Sequence, residues 1–446
     1  MPHTRNSGQP HGSNSVVFIH AADLQLGKSF SSIPDEAKRA RVQQERFEAV
    51  RRIGQVVRDR RARFVVLAGD VFDSPTPTHA TISAALGAFA AIDVPIYAIP
   101  GNHDHASPDS VWATAFFRRE RDRVAPRLHV LDSAAATVVD LHRGIAGPDS
   151  VVLLPCPLLR RHHAEDPTAW LRGYDFSSIG ESPRIVIAHG STAVFTGVFQ
   201  IDEEGDALRP ANTIAIDRLP LEEIDYCAIG DWHSFTAAGP KAFYAGTPEA
   251  DRFPKAGQEP GYVACVTVGR GVPPNVEAVR TGRFRWLSHS IALDTVPGAE
   301  SVANARGPAY LDDWLTQATR PQAAGEPGFD GSLARITITG TVSLTGRQDL
   351  DRIIESWEAR LLRLDLVDAV RIAPTPDEIH DLAARPGDPI ISRVAAELVR
   401  RLEEGGPQAE VDVIRHAIFT LHALAAPETT HRSDEVQRTE PATAPL

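Results

Sequence analysis

Short apolar runs that stop on metal-binding side chains recur along the chain. Val16-Val17-Phe18-Ile19 leads into Asp23 and Gln25, Phe64-Val65-Val66-Leu67 into Gly69-Asp70, and Pro95-Ile96-Tyr97-Ala98-Ile99 into Gly101-Asn102-His103-Asp104. Ile185-Val186-Ile187 leads into His189, and Tyr226-Cys227-Ala228-Ile229 into Gly230-Asp231-Trp232-His233. Continuous apolar, β-branched runs predict buried strands, and ligands of α/β folds gather at the carboxyl ends of strands. The pattern therefore predicts one polar site of Asp, Asn, Gln and His at one edge of a sheet. Oxygen and imidazole donors in that mixture suit paired divalent metals.

From Val16 to about Leu154, strands alternate with helical stretches, the pattern of a mostly parallel sheet. Between residues 35 and 63, Val42, Phe47, Val50, Ile53, Val56 and Val57 recur at helical spacing. The arginines among them (Arg39, Arg41, Arg46, Arg51, Arg52, Arg58, Arg60 and Arg61) mostly read as a solvated face. A second series of strands, at 184–188, 226–229, 243–245, 261–268 and 276–280, predicts another sheet packed on the first. These close a unit spanning 16–283. Strands at 288–296, 334–342 and 369–373, with helices around 311–318 and at 349–364, predict a small α/β cap over 284–374. In the segment 375–425, amphipathic helices at 390–404 and 411–424 have no core left to join, which suits docking on another protein. The polar leader 1–15 and the Pro/Thr-rich tail 426–446 predict disorder.

Composition narrows the class. A chain of 446 residues has room for two or three domains. Mean hydropathy is -0.19, and no apolar run approaches the roughly 20 residues that span a bilayer. The leader lacks the apolar core of a signal peptide. Cys156, Cys227 and Cys265 show no CxxC spacing, Cys227 and Cys265 lie inside apolar runs and read as core residues, and a reducing cytoplasm is the expected compartment. A net charge of -12 excludes coating nucleic acid by charge alone. Local binding stays open, because bound cations add positive charge where a phosphate would sit.

The donors sort into roles. Paired divalent ions need one carboxylate to bridge them, and Asp70 fits best because the bare Gly69 before it permits close approach. A helix N-cap explains one such Asp well and the whole series poorly. Asn102 supplies a neutral amide oxygen. His103 with Asp104 beside it suits an imidazolium general acid and its orienting carboxylate.

The series Gly69-Asp70-Val71-Phe72-Asp73, Gly101-Asn102-His103-Asp104, His189-Gly190 and Gly230-Asp231-Trp232-His233 resembles that of calcineurin-like metallophosphoesterases. The opening from Phe18 to Lys28 and the later Gly246-Thr247-Pro248-Glu249 look like the SbcD/YhaO-type DNA repair exonucleases within that family. The resemblance implies a two-sheet αββα sandwich with a small α/β cap and C-terminal helices. It also implies a manganese-dependent DNA exo/endonuclease, an SMC-like coiled-coil ATPase partner, and a homodimer formed near residues 75–91 and 109–121. Asp23, Gln25, Asp70 and His233 would serve one metal, Asp70, Asn102, His189 and Asp231 the other, with His103 as acid. His105, Arg160, Arg161 and Trp232 are then candidate substrate contacts, Arg160 and Arg161 within a basic loop that continues into His162 and His163. Two positions depart from the family pattern, because Gln25 and Asp231 stand where histidines are usual. Each exchanges an imidazole for an oxygen donor, which favours manganese or magnesium over zinc. The alternatives are a phosphoesterase for small molecules or phosphoproteins, and a weakened nuclease fold that regulates its ATPase.

Overall fold

The computed structural model describes residues 15–141, 150–192, 212–294, 307–323, 326–384 and 388–425. The tail and all of the leader but Ser15 lie outside the described residues. In chain order the strands are β1 (Ser15–Ala21), β2 (Val65–Ala68), β3 (Ile96–Ile99), β4 (Leu128–Val130), β5 (Thr137–Asp140), β6 (Ser150–Cys156) and β7 (Arg184–His189). They continue with β8 (Ser191–Thr192), β9 (Thr213–Ile214), β10 (Tyr226–Gly230), β11 (Thr236–Ala237), β12 (Ala242–Tyr244), β13 (Tyr262–Gly269) and β14 (Asn275–Arg280). One sheet runs β14-β13-β1-β2-β3-β4 and a second runs β11-β12-β10-β7-β6-β5.

The site-bearing strands β1, β2 and β3 are mutually parallel, as are β7 and β10. Their carboxyl ends therefore point the same way within each sheet, which brings the polar tips together. Alternation along each strand builds three layers of core. Phe18, Val66, Ile99, Ile187 and Ala228 fill the space between the sheets. Ile19, Leu67 and Ala98 face helices α1 (Glu36–Arg60), α2 (His79–Phe89) and α3 (Ala115–Val124), and Val186 and Ile229 face the other side of the second sheet. Among the described residues, short 3-10 turns such as Ala169–Gly173 and Phe176–Ile179 cover that outer side.

Two assignments made from the sequence change. Residues 261–268 and 276–280 belong to the first sheet, because β13 pairs antiparallel with β1 over a long register, from Ser15 opposite Gly269 to His20 opposite Ala264. Conversely β6 joins the second sheet, parallel to β7. An apolar run predicts burial without naming its neighbour, and both strands would fit either sheet.

Helix α1 starts on Asp35, whose side chain accepts from the amide of Lys38 at 2.9 Å, and ends on Arg61 in the left-handed region. One arginine departs from the mostly solvated face of this helix, because Arg46 is buried. Its guanidinium donates to the carbonyls of Leu24 (2.8 Å), Asp23 (3.1 Å) and Glu249 (3.1 Å) and to Thr247 Oγ1 (3.2 Å). It thereby ties the loop after β1 to the segment after β12. Arg46→Met would strand these buried acceptors at about 1–3 kcal/mol each. Not all lose every partner, so the expected destabilisation is about 3–5 kcal/mol, read from urea unfolding. A loss below about 1 kcal/mol would mean water replaces the guanidinium without strain.

The chain divides into two compact units, Met1–Ser288 with Thr319–Arg335 and Arg360–Asp365, and His289–Ala318 with Ile336–Ala359 and Leu366–Leu446. Residues 319–335 and 360–365, read from the sequence as part of the cap, thus group with the first unit. A third sheet runs β15 (Arg285–Asp294), β16 (Ser332–Val342), β17 (Arg363–Ile372). In the second unit, α4 (Ala309–Ala318) and α5 (Leu344–Arg360) are joined by a bond from Trp357 Nε1 to Asp312 at 2.8 Å. Helix α5 begins earlier than the spacing predicts, because the Glu378 carboxylate accepts the free amides of Leu344 and Thr345 at 3.1 and 2.9 Å. Helices α6 (Pro376–Ala383), α7 (Pro389–Glu404) and α8 (Gln408–Ala425) close the described chain. Ile390, Val413 and Leu424 on the last two are largely exposed. No helix among the described residues is long and apolar enough to cross a membrane.

Candidate metal centre

The site lies where the strand tips meet, and the backbone there is held by bonds between loops. The amide of Asp23 donates to Gly69 O at 3.2 Å and that of Gln25 to Asp70 O at 2.9 Å, so the loops after β1 and β2 run together. Asp23 (φ 54°), Gln25 (φ 40°), Asp70 (φ 54°) and Asp231 (φ 104°) all occupy positive φ without being glycine. Such conformations cost of order 1–3 kcal/mol each and cluster at functional sites. Two glycines give the room. A Cβ on Gly101 would lie 2.1 Å from Asp70 Oδ1, and one on Gly69 2.3 Å from His189 Nδ1.

Asp23, Asp70 and His189 form a fully buried group whose ligand atoms all lie within 4.8 Å of one another. His189 Nδ1 donates to the carbonyl of Ala68 at 2.8 Å, which fixes the tautomer and leaves the Nε2 lone pair facing the group. Around Nε2 stand Asn102 Oδ1 at 2.8 Å, Asp70 Oδ1 at 3.5 Å and Asp231 Oδ1 at 3.9 Å. A proton on Nε2, which the surrounding carboxylates favour, is shared among these acceptors. Turning the Asn102 amide over would let its nitrogen donate to Asp70 at 3.1 and 3.3 Å and to His189 at 2.8 Å. A cation at the same point satisfies the same lone pairs. With metal–ligand bonds of about 2.1 Å, neighbouring donors in an octahedral shell lie about 3 Å apart, close to the spacing here. These residues fit a divalent metal.

Charge follows from the same geometry. Burial raises the Asp70 carboxyl, but the imidazole of His189 and the hydrogen bonds to it outweigh that and bring it down to about 2. Burial depresses His189, yet Asp70, Asp23 and Asp231 hold its proton affinity well above the ordinary value. Burial pushes Asp23 up to about 6 against the pull of His233 and His189. Both Asp23 oxygens accept the amide of Asp231 at 3.1 Å, and Ser191 Oγ donates to Asp231 Oδ2 at 2.7 Å.

His103 and Asp104 do not pair as the sequence suggests. The Asp104 carboxylate is buried and accepts the amides of Gly101 (2.7 Å), Val71 (2.8 Å) and Phe72 (3.1 Å), locking the loops after β2 and β3 together. His103 is instead oriented by the carbonyl of Asp73, 3.0 Å from its Nδ1, while its own amide donates to Asp70 Oδ1 at 2.9 Å. The imidazole Nε2 is thus turned away from the bond that orients the ring.

Gln25 and His233 occupy the other side. Gln25 Nε2 lies 3.4 Å from His233 Nε2, and Gln25 Oε1 accepts from Lys28 Nζ at 3.1 Å. His233 Nδ1 is 3.0 Å from the buried carboxylate of Asp251, which also pairs with Lys28 and Arg252. Lys28, Arg46, Ser191 and Asp251 escaped the sequence reading. Asp251 lies close after Gly246-Thr247-Pro248-Glu249, but nothing in its immediate spacing marks it as a histidine's partner.

Of the expected substrate contacts, Arg160 and Arg161 are exposed. Their loop is anchored beside the centre. Leu158 exchanges backbone bonds with Pro100 and Ala106, and Asn212 binds both Arg161 O and His163 while standing over Gly190. His105 is half-buried, with Nδ1 lacking a partner. Trp232 packs, partly buried, against the outer core of the second sheet.

Residues 16–235 match the family model for calcineurin-like phosphoesterases. The chain carries a calcineurin-like metallophosphoesterase domain. This family uses divalent metals, so a metal-dependent phosphoester hydrolase is what the matched region and its acidic, His-containing group describe. A stretch of 97 residues is 34% identical to the DNA double-strand break repair protein Mre11 of Archaeoglobus fulgidus, covering 21% of this chain and 20% of that protein. The chain thus matches about a fifth of that relative's length. Two solved structures are also similar. The protein TT1561 of Thermus thermophilus has a TM-score of 0.33 and 11% identity over 52% of this chain and 90% of that one. A dimetal phosphatase from Danio rerio has a TM-score of 0.32 and 13% identity over 59% and 98%.

Proposed function

We propose that the phosphoesterase domain cleaves DNA phosphodiester bonds, with manganese as its metal, in partnership with a long coiled-coil ATPase. The observation that carries the hydrolytic part is the buried Asp23–Asp70–His189 group, with Asn102 Oδ1 at 2.8 Å and the Asp70 carboxylate at 3.5 Å from His189 Nε2. Support for DNA as substrate comes from the partial likeness to Mre11 and from the exposed Arg160–Arg161 loop anchored beside the cluster. Exposed Ile390, Val413 and Leu424 on the terminal helices supply apolar surface for a partner.

In this reading Asp23, Asp70, Asn102, His189 and Asp231 hold the metal. When bound, it neutralises phosphate charge and acidifies the attacking water. Asp104 fixes the two loops that carry Asp70 and Asn102. His103, held through Nδ1 by the carbonyl of Asp73, delivers a proton from Nε2 to the leaving oxygen. Arg160 and Arg161 attract the neighbouring phosphates of the strand.

The test compares linear single- and double-stranded DNA with bis-p-nitrophenyl phosphate and mononucleotides in the presence of manganese. Degradation of DNA, lost in His103→Ala, is expected. Turnover confined to the small esters would replace this reading with a small-molecule phosphodiesterase.

A further inference from the structure

Residues 158–163 form a loop tied to the centre at both ends. At its start the amide of Leu158 donates to Pro100 O at 3.1 Å and that of Ala106 to Leu158 O at 2.9 Å, which fixes it to the turn carrying Asn102 and His103. At its far end one residue, Asn212, does the fixing. The Asn212 amide donates to His163 O at 2.9 Å, its Oδ1 accepts the amide of His163 at 2.8 Å, and its Nδ2 donates to Arg161 O at 2.9 Å. The Asn212 carbonyl in turn fills the space that a Cβ on Gly190 would need, next to His189. Tyr244 holds the same turn from another side, its hydroxyl donating to Gly190 O at 2.9 Å, and Thr213 pairs with Ser191, whose hydroxyl holds Asp231.

The position selects the residue type. Asn212 sits at φ 57°, a conformation open to glycine, tolerated by asparagine and aspartate, and poor for most other side chains. Glycine would reach it but supply no side-chain bond. Aspartate would accept from His163 and set a carboxylate against the Arg161 carbonyl. Of the three, asparagine offers both the acceptor and the donor that the two neighbouring peptides require.

The loop so held carries open charge. Elsewhere exposed arginines close on carboxylates, as Arg123 does on Glu120 and Arg400 on Glu397. Among the described residues Arg160 and Arg161 have no such partner. A small diester offers one phosphate, which the metal takes, whereas a polynucleotide offers further phosphates on either side of the cleaved bond.

We propose that Asn212 is a positioning residue for polynucleotide substrates, holding the Arg160–Arg161 loop so that its charge meets the phosphates that flank the cleaved bond. This rests on the reading of the centre as a DNA phosphodiesterase. Asn212 touches neither metal nor substrate and acts through the two arginines.

The experiment assays the full chain with manganese on linear single-stranded DNA and on bis-p-nitrophenyl phosphate. Asn212→Gly keeps the backbone conformation and removes only the two side-chain bonds. Its KM for DNA is expected to rise about tenfold, with kcat within about twofold of wild type. Turnover of bis-p-nitrophenyl phosphate should stay at the wild-type level, which also reports that the variant is folded. Asn212→Asp, which keeps the bond from His163 and loses the one to Arg161, should fall between the two. Arg160→Gln with Arg161→Gln should raise KM for DNA at least as much. Adding Asn212→Gly to that pair should then cost less than about a further twofold, because no charge is left to position. An unchanged KM in Asn212→Gly, or a full tenfold rise on top of the arginine pair, would overturn the positioning role and leave the nuclease reading standing. Loss of small-ester turnover in both Asn212 variants would assign the residue to the His189–Gly190 turn and overturn the proposal likewise. Wild type without activity on DNA would overturn both readings.

Discussion

Asp70→Asn is expected to lower manganese-dependent phosphodiester hydrolysis by at least about a thousandfold, some 4 kcal/mol of transition-state stabilisation, while leaving the domain folded. The size of the effect follows from how many contacts share one side chain. Asp70 is fully buried, its Oδ1 faces His189 Nε2 at 3.5 Å, and it accepts the amide of His103 at 2.9 Å. Despite burial, the imidazole of His189 and the hydrogen bonds to the carboxylate hold its carboxyl below the usual range, which keeps it anionic. Asparagine keeps the volume and one acceptor for the His103 amide but removes that charge from the middle of the donor cluster. The remaining ligand atoms of Asp23 and His189 cannot neutralise a dication as well, and metal affinity should fall with the rate. Calorimetric manganese binding and initial rates on bis-p-nitrophenyl phosphate check both quantities. A variant binding manganese within a factor of a few of wild type would place the ion elsewhere.

Much of this centre could be read from the chain because a buried parallel strand writes a continuous apolar signature that ends where the ligands begin. Strands β1, β2, β3, β7 and β10 announce themselves in that way, and the polar residue after each run marks the tip. The pairing of strands is a different matter. Strand β13 has the same apolar texture as β10, and only the long antiparallel register with β1 assigns it to the first sheet. Arg46 was hidden for a related reason. Its sequence neighbours on α1 look solvated, and what buries it is a set of carbonyls contributed by residues 23, 24 and 249. The partner of His103 was misjudged because adjacency in sequence says little about direction at a sharp turn. Asp104 points back to the amides of Gly101, Val71 and Phe72, and a main-chain oxygen of Asp73 does the orienting. The positive φ angles of Asp23, Gln25, Asp70 and Asp231 leave no trace in composition, since none of them is glycine. They are fixed by the meeting of loops from different strands, which exists only once the sheets have formed.

His103→Ala is expected to lower the rate on DNA by about a hundredfold to ten-thousandfold, the ordinary reach of a general acid, without weakening manganese binding. The separation is possible because His103 touches the cluster through its backbone. Its amide donates to Asp70 Oδ1 at 2.9 Å, and alanine retains that bond. What disappears is an imidazole whose Nδ1 is held 3.0 Å from the carbonyl of Asp73, leaving Nε2 to carry the proton. A general acid matters most when the leaving group is a poor one. The sugar oxygen of DNA needs a proton as its bond to phosphorus breaks, whereas p-nitrophenolate leaves readily as the anion. The variant should therefore lose much more activity on DNA than on bis-p-nitrophenyl phosphate, a split that mere loosening of the loop would not produce. Equal losses on both substrates, accompanied by weaker manganese binding, would show that the imidazole supports the loop and that the proton reaches the leaving oxygen by another route.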